Sequence, residues 1–135
     1  RSRHTTSASA FQLNRASDLA FCLDCIAYQI TDVVKAMSEE SGIAIGELRV
    51  DGGPTRNKYL MQFQSDIAEV SVQVPSAEEL SGIGAAYAAG IAVGIYDREE
   101  VFSQMSRTRF SPKMDAAERD QKYQGWKKAV AQVLQ

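Results

Sequence analysis

The sequence predicts a helix-rich α/β fold with two short parallel strands and about four helices. Three observations carry that prediction. Apolar residues recur at helical spacing from Leu19 to Met37, and a short apolar run, Leu48-Arg49-Val50, breaks at Asp51-Gly52-Gly53-Pro54 before a second helical pattern. Residues 70–74 then alternate as a strand does. Two strands separated by a helix run parallel with a right-handed crossover. A two-stranded parallel sheet leaves both edges open, so the rest of a larger sheet is expected outside these residues.

Residues 1–15 are rich in Ser, Thr and Ala without a period and read as an irregular lead-in to a fold occupying 16–135. In the first helix Leu19, Leu23, Ile26, Ile30, Val33 and Met37 stack on one face, expected to be the buried one. Ser17 or Asp18 can cap its start, and Ser41-Gly42 supplies the stop. The second helix repeats Leu60, Phe63 and Ile67. The second strand ends at Pro75, which cannot donate a ladder hydrogen bond. Ser81 is placed to cap a Gly/Ala helix reaching about Ile95, expected to be buried and closely packed. Pro112 and Asp115-x-x-Glu118 announce a last helix that turns Trp126, Val130 and Val133 or Leu134 inward.

A formal charge of −2, from 15 basic and 17 acidic side chains, provides no basic field for nucleic acid or an anionic membrane. One histidine, His4, excludes a His-cluster metal site, and its position argues against a Ser-His-Asp system. Cys22-x-x-Cys25 lies within a helical pattern with no second pair to complete a zinc site, so two buried thiols in a reducing compartment are expected. Nothing at the start reads as a secretory signal. The uncharged run 80–96 is short for a membrane span and built of Gly and Ala. A cytoplasmic location is the expectation.

The most informative segment for chemistry is the turn from Asp51 to Asn57. A strand whose carboxyl end passes through two glycines into a helix offers backbone N–H groups to a phosphate or nucleotide, and glycine lets the main chain approach closely. Asn57 offers both a donor and an acceptor. Asp-Gly-Gly is also an ordinary tight turn, and spacing alone leaves the structural reading ahead. Asp51 is expected to hold that turn through local backbone N–H groups. Gly82-x-Gly84 would need a third glycine where Tyr87 stands, which argues against a dinucleotide fingerprint. Asp24, Asp32, Asp51, Asp66, Glu78 and Glu79 form no pair that the sequence forces together, and Lys127-Lys128 reads as a solvated helix face.

Several stretches taken together are more specific than any one of them. They are Ile26-Ala27-Tyr28-Gln29 with Asp32-Val33; Gly42-Ile43; Leu48-Arg49-Val50-Asp51-Gly52-Gly53 with Asn57; and Leu60-Met61-Gln62-Phe63-Gln64-Ser65-Asp66-Ile67. Gly84-Ala85-Ala86-Tyr87, Ala89-Gly90, Ala92-Val93-Gly94 and Tyr123-Gln124-Gly125-Trp126-Lys127-Lys128-Ala129-Val130 follow in the same register. Over about residues 17–131 the chain resembles the C-terminal part of the FGGY carbohydrate kinases, most closely members whose acceptor is glycerol.

That resemblance implies the later part of an actin-like, ribonuclease-H-like ATPase domain, the second of two that enclose an active site. The implied activity of the full-length protein is transfer of the γ-phosphate of ATP to a hydroxyl of a small polyol or sugar, with Mg²⁺ carried by the nucleotide. It further implies that Gly53 approaches the nucleotide through its backbone and Asn57 lies near the adenine, with Gly52 and Pro54 as neighbours. The family's catalytic Asp, substrate contacts and phosphate-binding hairpin precede this stretch, so no catalytic residue or metal ligand is assigned here and the fragment alone is expected to be inactive. The polyol is expected on the N-terminal part and the full-length protein as a homo-oligomer. Pro54 and Lys58 depart from the family pattern. The alternatives are a non-catalytic helical interaction module of the same fold, a kinase for another sugar such as xylulose, and another actin-like ATPase.

Overall fold

The chain folds around two helices packed on each other and a small sheet, as seen in a computed structural model that describes residues 8–76, 80–103 and 106–134. Helix α1 spans Ala8–Ser41, strand β1 Glu47–Arg49, helix α2 Lys58–Ala68 and strand β2 Ser71–Pro75. Helix α3 (Leu80–Ala92), the short α4 (Arg98–Ser103), strand β3 (Arg107–Phe110) and helix α5 (Ala116–Val133) complete the order. His4, Glu78 and Glu79 lie outside the described residues.

β1 and β2 pair in parallel, with Leu48 beside Val72, as a β-α-β crossover requires. β3, which the sequence pattern missed, adds antiparallel on the other side of β2 with Phe110 beside Val72. Its sequence, Arg-Thr-Arg-Phe, has no apolar run; only Phe110 reaches the core, and the charged remainder suits an exposed edge strand. The sheet order is therefore β1-β2-β3, central strand last but one in sequence.

α2 is the centre of the core. Leu60, Phe63, Gln64 and Ile67 are buried between α1 and the sheet, joined by Ala27, Tyr28, Val72 and Tyr123. Tyr28 meets Phe63 edge-on at 5.6 Å and stacks on Trp126 at 5.5 Å. Asp32 accepts hydrogen bonds from the Tyr123 hydroxyl and from Trp126 Nε1 (2.8 Å), which ties α1 to α5. The α5 start behaves as its sequence predicts, with Asp115 Oδ1 accepting from Ala117 N–H at 2.8 Å.

Several expectations are corrected. α1 begins at Ala8, not after residue 15 with Ser17 or Asp18 as cap, because Ala8, Ala10, Gln12, Leu13 and Arg15 are all good helix formers with no breaker among them. Its buried row is Ala27, Thr31 and Val34, whereas Ile26, Ile30, Val33 and Met37 face outward, Val33 at 57% exposure. Small side chains let α2 approach closely, and Thr31 Oγ1 donates its proton to Ala27 O (2.8 Å) within the same helix. Cys22, expected inside, is exposed; Cys25 is half-buried. Finally, α3 is exposed along most of its length and starts before Ser81, and Val133 and Leu134 are exposed at the end of α5. The predicted stop of α1 holds, with Gly42 at φ +66° and Ser41 Oγ accepting from Ile43 N–H at 3.2 Å.

Candidate functional site

The site is built where β1 ends. The β1–β2 ladder extends to Val50, whose N–H donates to Gln73 O at 3.1 Å, and the chain then reverses. Asp51 Oδ1 accepts from Gly52 N–H at 2.7 Å, the local role its position predicts. Gly52 takes φ +101°, a conformation only glycine adopts without strain. Its carbonyl accepts from both Thr55 N–H (3.1 Å) and Thr55 Oγ1 (2.7 Å), which closes a single 3₁₀ turn over Gly53–Arg56.

Asn57 ends that turn and begins the next element. Its N–H donates to Pro54 O at 3.1 Å, and its Oδ1 accepts from Leu60 N–H at 3.1 Å, capping α2. Its acceptor is thus committed to the fold, and its Nδ2 is the group that can face a ligand.

Beside the turn lies a cleft of about 320 Å³, at the carboxyl ends of the two parallel strands, where ligands gather in open α/β sheets. Gly52, Gly53, Thr55, Arg56 and Lys58 form one wall; Val74, Pro75 and Ser76 after β2 with Thr108 and Phe110 of β3 form the other. Of the sequence-derived candidates, Gly52 and Gly53 line this cleft, while Pro54 and Asn57 belong to the turn without forming its walls. Lys58 and the β3 residues escaped the sequence reading: the first stood out only as a departure from a family pattern, and the strand itself had no apolar signal. A second hollow, about 540 Å³, is lined mainly by apolar side chains of α3, with Arg98 and Arg107 at its edge.

The carboxylates outside the turn hold structure. Asp66 accepts from Gln62 Nε2 (3.0 Å), Lys113 N–H (2.6 Å) and Met114 N–H (3.2 Å), pinning the chain between β3 and α5. Asp24 accepts from the Tyr59 hydroxyl at 2.7 Å; burial, then this bond, pushes the Tyr59 phenol up to about 12. Burial also pushes the Cys25 thiol up, with Cys22 beside it adding to the effect, which disfavours a reactive thiolate. Among the described residues no cluster of His, Cys, Asp or Glu could hold a metal ion, and no helix is long and apolar enough to cross a membrane.

Comparison with known proteins bears on this geometry. The model of the FGGY family of carbohydrate kinases, C-terminal domain, matches residues 6–93, well over half of the chain. The chain belongs to this family. As an FGGY domain it is 50% identical over 110 residues to glycerol kinase of Bacillus licheniformis, covering 80% of this chain and 22% of that protein. The crystal structure of Plasmodium falciparum glycerol kinase with ADP superposes with a TM-score of 0.73 at 38% identity, covering 84% of this chain and 23% of that one. The chain thus spans under a quarter of the length of either relative, and its helix-rich α/β fold is that of the corresponding part of an actin-like ATPase.

Proposed function

We propose that this chain forms the nucleotide-facing wall of an ATP-dependent carbohydrate kinase, and that the full-length protein phosphorylates glycerol, giving ADP and glycerol 3-phosphate. The observation that carries the reading is the Asp51–Asn57 turn opening a cation-lined cleft at the carboxyl edge of β1 and β2. The similar Plasmodium structure is of a glycerol kinase with ADP, which supports a nucleotide as the occupant. Residues 16–135 would then be the C-terminal part of the second kinase domain, working in the cytoplasm and, at full length, as a homo-oligomer. Gly53 approaches the nucleotide through its backbone, and Asn57 presents Nδ2 toward the adenine, with Gly52 and Pro54 shaping the turn between them.

Mg²⁺ is taken to enter with the nucleotide phosphates, the described lining of the cleft containing no carboxylate. The acceptor polyol and the group that takes its proton belong to the remainder of the kinase. ADP titration of Gly53→Trp tests the nucleotide reading. A Cβ at Gly53 meets nothing within 4 Å, so a side chain can start there without a backbone clash, and an indole is expected to intrude on the cleft that Gly53 lines. Loss of about tenfold or more in ADP affinity, equivalent to about 1.4 kcal/mol, is expected; unchanged affinity would overturn it.

A further inference from the structure

Resting on that nucleotide reading, we propose that Asp66 is a positioning residue for nucleotide binding: without lining the cleft, it holds the β3 wall in place against the Asp51–Asn57 turn. Asp66 is a carboxylate only 8% exposed. Its Oδ1 accepts from Gln62 Nε2 (3.0 Å), Lys113 N–H (2.6 Å) and Met114 N–H (3.2 Å), so its burial is offset by donors from its own helix and from the chain that leaves β3. The ladder between β3 and β2 ends at Phe110, which with Thr108 forms part of the cleft wall. Past that point the segment 110–114 is held by one face of α2. Gln62 Nε2 donates to Ser111 O at 2.9 Å, Ser65 Oγ lies 3.3 Å from Phe110 O, and Asp66 takes the N–H groups that follow Pro112. Gln62, Ser65 and Asp66 share that face through their i, i+3, i+4 spacing.

The same helix fixes the opposite wall. Asn57 caps its N-terminus through Oδ1, and Lys58, its first residue, lines the cleft beside Gly52 and Gly53. An α-helix advances by a constant rise of about 1.5 Å per residue, so α2 sets the separation of the two walls for as long as Asp66 keeps its donors. A gap of about 0.5–1 Å already forfeits roughly a quarter to a half of a van der Waals contact. A β3 wall that drifts by that much holds its occupant less tightly, although every residue that touches the occupant is still present.

The test uses the full-length protein with Asp66→Ala, Asp66→Asn and, for comparison, Asp32→Asn. Asp32 also ties down α5, through Tyr123 and Trp126, but it lies on α1 outside the cleft lining. Circular dichroism melts set a temperature at which the variants are folded, and ADP affinity by calorimetry, kcat and the KM for glycerol are measured there. Asp66→Ala should weaken ADP by about tenfold, because a loosened wall must be ordered on binding, with kcat and the glycerol KM unchanged. Asp66→Asn keeps the accepting oxygen and should recover most of that loss, whereas Asp32→Asn should lower the melting temperature without moving ADP affinity. If Asp66→Ala does not fold, Gln62→Leu, which removes the bond to Ser111 O, takes its place and should weaken ADP by about threefold. Unchanged ADP affinity in the variant used, or an equal loss in Asp32→Asn, would overturn the role of Asp66. Gly53→Trp, titrated alongside, separates this from the nucleotide reading. If Gly53→Trp weakens ADP and the Asp66 variants do not, the positioning role alone falls; if Gly53→Trp leaves ADP affinity unchanged, both fall.

Discussion

Asn57 is expected to serve the fold and the ligand through different atoms, and substitution can separate them. Asn57→Ala removes the acceptor of the Leu60 N–H bond (3.1 Å) and leaves an orphan donor in the first turn of α2. Losing such a cap costs about 0.5–2 kcal/mol, typically about 1. Because α2 carries Leu60, Phe63 and Ile67 into the core, the loss should appear in global unfolding, not as local fraying. A cost of about 1 kcal/mol lowers the melting temperature of a chain of this size by roughly 3–6 °C. Asn57→Ser keeps an oxygen in capping position and should melt close to wild type. Thermal melts followed by far-ultraviolet circular dichroism measure both. If Asn57→Ser melts as low as Asn57→Ala, capping is not what Asn57 contributes. The serine variant also lacks the amide donor, so its ADP affinity reads the ligand role without the stability loss.

Other outcomes follow from the same coordinates. Gly52→Ala should destabilise by about 1–3 kcal/mol, since φ +101° is closed to alanine, whereas Gly53→Ala should stay within about 0.5 kcal/mol of wild type; equal urea midpoints for the two variants would contradict this. The fold favours the protonated Tyr59 phenol, raised by burial and by Asp24 from 10.0 to about 12. Its contribution to stability is therefore complete below pH 10 and lost as pH climbs toward 12. Tyr59→Phe should remove part of that alkaline decline, the rest belonging to Tyr123 and Tyr28, whose phenols burial also pushes up. A melting-temperature difference between wild type and Tyr59→Phe that stays constant across this range would refute it.

Local chemistry was legible where a single residue type decides the backbone. Gly42 stops α1, Asp115 caps α5 and Asp51 braces the turn because each acts on neighbours within a few residues. Which face of a helix is buried was not, because α1 carries two apolar rows and periodicity cannot rank them. The choice went to Ala27 and Thr31, whose smallness matters only once α2 lies against them. α3 shows the converse: its Gly/Ala composition signals close packing, yet Ala85, Ala86 and Ala89 face outward among the described residues. Part of the candidate site was readable as well. Gly52 and Gly53 stand in the cleft wall, but the facing wall comes from β3, whose arginines gave no strand signal.

Helix α2 joins the core to the cleft within one rigid element, since Leu60 is buried two residues beyond Lys58 at the cleft wall. A ligand held there binds only the folded state, and by mass action an occupant at a hundred times its dissociation constant adds about 2.7 kcal/mol to the unfolding free energy. Core lesions and ligand affinity are then coupled in both directions. A substitution that loosens Ile67 would weaken binding without touching the ligand, and a saturating ligand would conceal a core defect that is plain in its absence.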